Sequence, residues 1–253
     1  MEKEKMGYDF LARLGKTHLR PGGRVANEWL IANGDFNKDK KVLNIACNNG
    51  DTAIQLATKF GCHITAIDLD ETTLEKARHN ATEHKQITEL IEFVQGDIIQ
   101  LPFKDNQFDI IVNDVMLTLL PAEMKQQALT EYQRVLKPNG LLLTHDIMLE
   151  AKNEADDVIT ELEEVINATI APLTKSEWKD TFKQSGFRNV ETFSGEISLI
   201  SPKGLIDYKG LAGVLKIMGS ALKSKNHTSF IKMLKAFRDA ENTLEFIAIC
   251  SQK

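Results

Sequence analysis

Acidic and amide side chains recur at the ends of short apolar runs through the middle of this chain. They fall at Ala46-Cys47-Asn48-Asn49-Gly50-Asp51, Asp68-Leu69-Asp70, Asp97, Asn113-Asp114-Val115 and Thr144-His145-Asp146. If those runs are parallel strands, these residues crown one edge of a sheet, where doubly wound α/β folds take their ligands. Helix caps and turns also recruit Asp and Asn, so any one of them alone would be ordinary. The coordinated set points to a ligand site. Asp68 lies about 20 residues past the first turn, where a carboxylate accepts hydrogen bonds from the ribose hydroxyls of NAD or another adenosine ligand. Asp97 has the chemistry to accept from an exocyclic amine such as adenine N6. The first turn separates the candidates. A dinucleotide site needs G-x-G-x-x-G for the backbone to approach a pyrophosphate, and the aligned positions are Ala46, Asn48 and Asp51. Asp51 would also set negative charge beside a phosphate. A pyrophosphate ligand is excluded.

The elements that must position these residues follow from periodicity. From about residue 41 to 147, apolar runs alternate with helical patterns, the sign of βαβ units around a parallel sheet. Strands are predicted at 42–46, 63–68, 91–94, 108–113 and 141–144, the last after a Pro138-Asn139-Gly140 turn. Asp51 or Thr52 is expected to cap the first intervening helix, a charged helix to follow from Glu71 to Glu83, and Pro121 to open another that reaches Leu136. An acidic helix over 153–170 carries Val158, Ile159, Leu162, Val165 and Ile166 on one face. A further helix over Thr174–Ser185 stops at Gly186. Strands at Val190–Phe193 and Leu244–Ile249 are separated by two helices within 203–238. Residues 7–32 read as helical segments broken by a loop at Arg20-Pro21-Gly22-Gly23. The whole, 1–253, reads as a single domain with a helical cap over 1–35 and a helical insertion over 200–241.

The chain has 253 residues, 42% apolar and 26% charged, an ordinary globular composition of a size for one large domain. Its formal charge of −5 argues against a surface that grips nucleic acid throughout. Cys47, Cys62 and Cys250 form no CxxC pair and no zinc spacing, which suits a reducing compartment and no metal. The N-terminus lacks the apolar segment of a signal peptide, and no apolar run approaches the roughly 20 residues needed to span a bilayer. The expectation is a cytoplasmic protein with no membrane partner.

Five segments, VLNIACNNGDTAIQLA, HITAIDLD, GDIIQLPF, FDIIVNDVMLTLLP and RVLKPNGLLLTHDIML, resemble the class I S-adenosylmethionine-dependent methyltransferases in order and spacing. The similarity is to their small-molecule, type 11 branch. It covers about residues 41–149, with looser similarity across TKSEWKDTFKQSGFRNVETF. The resemblance implies a Rossmann-like, doubly wound α/β sheet of seven strands whose last strand, Leu244–Ile249, is antiparallel. It implies S-adenosylmethionine as cofactor, with Asp68 and Leu69 at the ribose, Asp97 and Ile98 at the adenine, and Asn113 near the methionine end. Ala46, Asn48 and Gly50 would form the cofactor-binding turn. The family usually reads D-x-G-x-G-x-G there, whereas this chain has Asn44, Ala46, Asn48 and Gly50. Asn enters the left-handed region at modest cost, so the turn survives Asn48; Ala46 adds a methyl, and Asn44 removes an acidic group.

Methyl transfer from a sulfonium is an in-line displacement that needs alignment above all, and a base only where the nucleophile carries a proton. His145 and Asp146 follow the fifth strand and are the catalytic candidates, with a structural histidine as the alternative reading of His145. Asp114 and His18 are further candidates, and Tyr8 is placed to close over the cofactor. No Asn-Pro-Pro-Tyr motif stands at the fourth strand, which argues against amino methylation of nucleic-acid bases. The insertion over 203–238 carries seven lysines and Arg238 against Asp207, a local charge of +7. Lys209, Lys216 and Lys223 share one helical face, either a solvated face or a cap that attracts an anionic acceptor. The expected activity is methyl transfer to a small-molecule acceptor. Its rivals are a non-catalytic scaffold or sensor that binds S-adenosylmethionine or S-adenosylhomocysteine, and a nucleic-acid methyltransferase.

Overall fold

A computed structural model describes residues 21–150, 155–166, 168–197, 232, 235–236, 238–240 and 243–253 of the chain. Tyr8, His18, Arg20, most of the predicted cap and most of the insertion lie outside the described residues. Among the described residues, eight strands form one sheet: β1 Lys41–Ile45, β2 His63–Asp68, β3 Ile91–Gln95, β4 Phe108–Asp114, β5 Leu136–Leu149, β6 Leu173–Thr174, β7 Arg188–Glu196 and β8 Leu244–Gln252. Their order is β3-β2-β1-β4-β5-β8-β7, with the two-residue β6 pairing beside β5. Strands β1 to β5 run parallel, and β8 is antiparallel to both β5 and β7. The expected seven strands and the antiparallel final strand are therefore present, with β6 added. The chain steps outward from β1 to β2 and β3, then returns to β4 on the other side. The switch point lies where Ile45 pairs with Asn113.

Among the described residues these strands are accompanied by α1 Gly23–Asn33, α2 Asp51–Phe60, α3 Glu71–Thr82, α4 Ala122–Val135, α5 Ala155–Ile166 and α6 Lys175–Gln184. Asn44, Ala66, Val112, Leu143 and Ala248 share one sheet face by register, and α1 and α2 pack Ala26, Leu30, Ala53 and Ala57 into the core there. Ile111, Leu142 and Ile249 belong to the core of the other face, closed by Leu129 and Tyr132 of α4 and Trp178 and Phe182 of α6. A third cluster joins Leu162 of α5 to Leu149, Leu244, Ala236 and Ala240. Beside it Lys235, a basic residue of the insertion, pairs with Glu161 at 3.2 Å. No helix among the described residues is long and apolar enough to cross a membrane.

Several boundaries differ from expectation for local reasons. Neither Asp51 nor Thr52 is the cap of α2: Gly50, at φ 83°, is the N-cap, and Asp51 lies in the first turn, where its charge favours the helix N-terminus. Pro121 is the N-cap of α4, one residue before its first turn. Thr174 closes a capping box with Glu177, and Gly186 adopts φ 89° after α6, as its composition predicts. The largest difference is β5. Pro138-Asn139-Gly140 lies inside the strand as an irregularity, with Asn139 at φ 64°, and β5 continues to Leu149. Antiparallel pairing with β8 from Leu141 to Leu149 supports the added length. His145 and Asp146 are thus within the strand, not beyond it.

Candidate functional site

The crevice at the switch point is built by the turn after β1. Ala46, Asn48 and Gly50 have φ values of 46°, 49° and 83°. All three are left-handed, so the backbone keeps the conformation that glycines would adopt freely. Two contacts hold the turn: Cys47 N–H donates to Ile67 O at 2.9 Å, and Asn80 Nδ2 donates to Asn49 O at 3.0 Å. At Gly50 a Cβ would stand 3.2 Å from both Ala77 and Phe93, so glycine answers to packing as well as to φ. The left-handed region costs an L-residue about 1–2 kcal/mol, while glycine loses about 0.4–1 kcal/mol more chain entropy on folding. Ala46→Gly is accordingly expected to raise stability by about 0.5 kcal/mol in urea unfolding. A loss of about 1 kcal/mol would show that the methyl packing outweighs the backbone strain.

Asp68 ends β2 directly beside this turn. Its Oδ2 accepts Asn48 N–H at 2.9 Å and its Oδ1 accepts Asp70 N–H at 3.2 Å. Asp70 in turn caps α3 through Thr72 N–H. Leu69, between them, is 67% exposed, an apolar side chain offered at the rim of the crevice. Gly96 N–H donates to Asp68 O at 3.0 Å, which carries the next strand end alongside. Asp97 is exposed and its Oδ1 accepts Ile99 N–H at 3.1 Å, while Ile98 is half-buried. The structure thus brings Asn48, Asp68, Leu69, Asp97 and Ile98 to one side of the crevice. Asn113 lies across it at the end of β4, fully buried. Its Oδ1 accepts from Tyr132 Oη at 3.4 Å, and its Nδ2 has no partner among the described residues. Asn44 Oδ1 and Thr144 Oγ1 are likewise buried without partners. Such atoms cost roughly 1–3 kcal/mol each and mark a polar region under the strand ends.

The two catalytic candidates take opposite faces of β5. His145 is fully buried; its Nε2 accepts Gly22 N–H at 3.0 Å and its Nδ1 stands 3.2 Å from Asp114 Oδ1. Asp146 is also fully buried, and accepts N–H bonds from Leu117 at 3.1 Å, Thr118 at 3.3 Å and Ile147 at 3.0 Å. Burial pushes its carboxyl up to about 6, against those hydrogen bonds. The two are not together, because successive residues of a strand point to opposite faces.

Lys125 was not among the sequence candidates. Its ammonium is buried and donates to Leu120 O at 2.7 Å and Ala171 O at 2.6 Å, tying the segment after β4 to the one after α5. Desolvation pushes it down to about 8, with Asp146 opposing. The available signal was spacing: Lys125, Ala128, Leu129, Tyr132 and Val135 lie on one helical stripe, and all five are buried. Val115, within the predicted strand-end set, has φ 49°; a β-branched residue there is a conformational outlier. The three cysteines are free, and burial pushes their thiols up to about 12 at Cys47 and about 11 at Cys62 and Cys250. Thiols so placed are small apolar residues, not nucleophiles.

Residues 36–191 match the family model described as "Methyltransferase domain". An uncharacterized protein of Haemophilus influenzae is 54% identical over the whole of both chains. Phosphoethanolamine N-methyltransferase of Plasmodium falciparum is 26% identical over 72% of this chain, a match spanning 66% of that protein. The crystal structure of MccD protein superposes with a TM-score of 0.78 at 22% identity, covering 93% of this chain and all of that one. The matched domain, the sheet order and the crevice turn agree: the chain belongs to the class I S-adenosylmethionine-dependent methyltransferases.

Proposed function

We propose that this protein moves the methyl group of S-adenosylmethionine to a small-molecule acceptor, with the cofactor in the crevice at the β1–β4 switch point. The observation that carries the reading is the turn from Ala46 to Gly50, left-handed at the three positions where the family has glycine and fastened to Asp68. The residues fit the cofactor: Asp68 and Leu69 would hold the ribose, Asp97 and Ile98 the adenine, and Asn113 would border the methionine end. The orphaned Nδ2 of Asn113 supports a polar ligand at that end. When bound, the cofactor supplies an electrophilic methyl group. The chain's own residues orient it and exclude water.

With His145 and Asp146 both committed to internal hydrogen bonds, the acceptor's nucleophile would give up any proton it carries to solvent and not to either of them. The class of acceptor rests on the relative named for phosphoethanolamine, a small anionic amine. That engagement of both candidates also favours a second reading, a scaffold that binds S-adenosylmethionine or S-adenosylhomocysteine without turnover. Calorimetric titration with each compound tests the crevice, and micromolar binding of both is the expected result. Transfer of labelled methyl into a metabolite extract then separates enzyme from scaffold. Absence of binding to folded, ligand-free protein would sink the proposal.

A further inference from the structure

The Pro21-Gly22-Gly23 turn has the composition of a surface loop, yet Pro21 and Gly22 are buried. A Cβ on Gly22 would come within 2.5 Å of Ala26 Cβ and 2.6 Å of the Phe246 ring, so no other residue fits there without displacement. This close approach delivers Gly22 N–H to His145 Nε2 at 3.0 Å, a buried bond between residues 123 apart in sequence. Because Nε2 accepts, the proton of a neutral imidazole stands on Nδ1, which faces Asp114 Oδ1 at 3.2 Å. Phe246 lies edge-on to the imidazole, with centroids 6.1 Å apart. Val115, in its left-handed conformation, donates its N–H to His145 O at 2.7 Å. These contacts join the entrance of α1 to the end of β4, directly after Asn113.

We infer that Asp114, His145 and Gly22 form a pH-sensitive latch, in which neutral His145 is a positioning residue holding the entrance of α1 against the crevice. Protonation at Nε2 sets two donors face to face at the Gly22 contact and opens it, while Asp114 keeps its bond to Nδ1. Asp114 is the charged side chain in hydrogen-bond contact with the ring among the described residues. Asp146, next in the strand, points to the other face. Arg24 and Glu28 of α1 pair with each other at 2.8 Å on the surface. The neighbours on β5 and β8 sharing its face, Leu143, Phe246 and Ala248, are apolar. The effect on cofactor affinity rests on the function proposed above; the latch itself does not.

The test uses the intact protein and two variants. His145→Phe keeps the ring volume without nitrogens, and His145→Gln keeps an acceptor that does not titrate in this range. Hydrogen exchange over residues 21–33 is expected to be about tenfold faster in the Phe variant than in the wild type, with β1 to β4 still protected. The Gln variant should restore protection. S-adenosylhomocysteine affinity of the wild type should fall severalfold on acidification from about pH 8 to about pH 5. The Gln variant should be flat across that range. Wild-type exchange over 21–33 in a folded Phe variant would overturn the latch, as would a Gln variant that keeps the wild-type pH profile. If the Phe variant does not fold, the Gln profile decides. If the wild type binds no S-adenosylhomocysteine, the cofactor reading fails and the exchange measurements still decide the latch.

Discussion

Asp68→Ala should weaken S-adenosylhomocysteine binding by about 1–3 kcal/mol, the order of a lost hydrogen bond to a charged group. In calorimetry that is a rise in Kd of roughly fivefold to 150-fold. Two effects add. The carboxylate is the acceptor proposed for the ribose, and it also accepts Asn48 N–H at 2.9 Å and Asp70 N–H at 3.2 Å. Its removal therefore loosens a turn that already carries strain at Ala46 and Asn48. Asp68→Asn keeps one acceptor oxygen and should recover part of the affinity. Equal affinity in a folded Ala variant would remove Asp68 from the site, and with it the assignment of the crevice.

The second large effect is a pH-dependent difference between the wild type and Asp146→Asn. Burial raises the Asp146 carboxyl from 3.8 to about 6 in the folded protein. Between about pH 4 and pH 6 the folded state holds a proton that the unfolded state has released, so this group's contribution to stability falls as pH rises through that window. Over about two pH units the change is about 3 kcal/mol. The Asn variant has no such titration. On acidification from pH 7 to pH 4, the wild type should therefore gain about 3 kcal/mol relative to the variant in urea unfolding. Lys125, pushed down to about 8, titrates above the window and is read separately. Parallel stability curves for the two proteins between pH 7 and pH 4 would show that the Asp146 carboxyl is not raised.

Much of the architecture is legible because its causes are local. β2 runs from His63 to Asp68 as its apolar pattern predicts, and α6 has its cap at Thr174 and its stop at Gly186 in the residues themselves. The placement of Asn48 and Asp68 beside one crevice also follows from strand ends and chain order. Failures occur where a distant element intervenes. Pro138-Asn139-Gly140 has turn composition, but β5 passes through it, and β8, which begins at Leu244, pairs with the strand from Leu141 onward.

His145 makes the same point at the level of chemistry. Its position near a strand end suggested a base, while its partners, Gly22 and Asp114, lie 123 and 31 residues away. Lys125, which was not among the candidates, is held by carbonyls of two separate segments. The amino-acid sequence alone determined the family, through five motif segments whose order and spacing resemble it, and the parallel core from β1 to β4, because periodicity, capping and turn chemistry act over a few residues. Tertiary structure alone decided which polar side chains are buried and what each one holds. Hydrogen-bond partnership depends on elements far apart in the chain, and no local pattern encodes it, even where, as at Lys125, helical spacing signals burial.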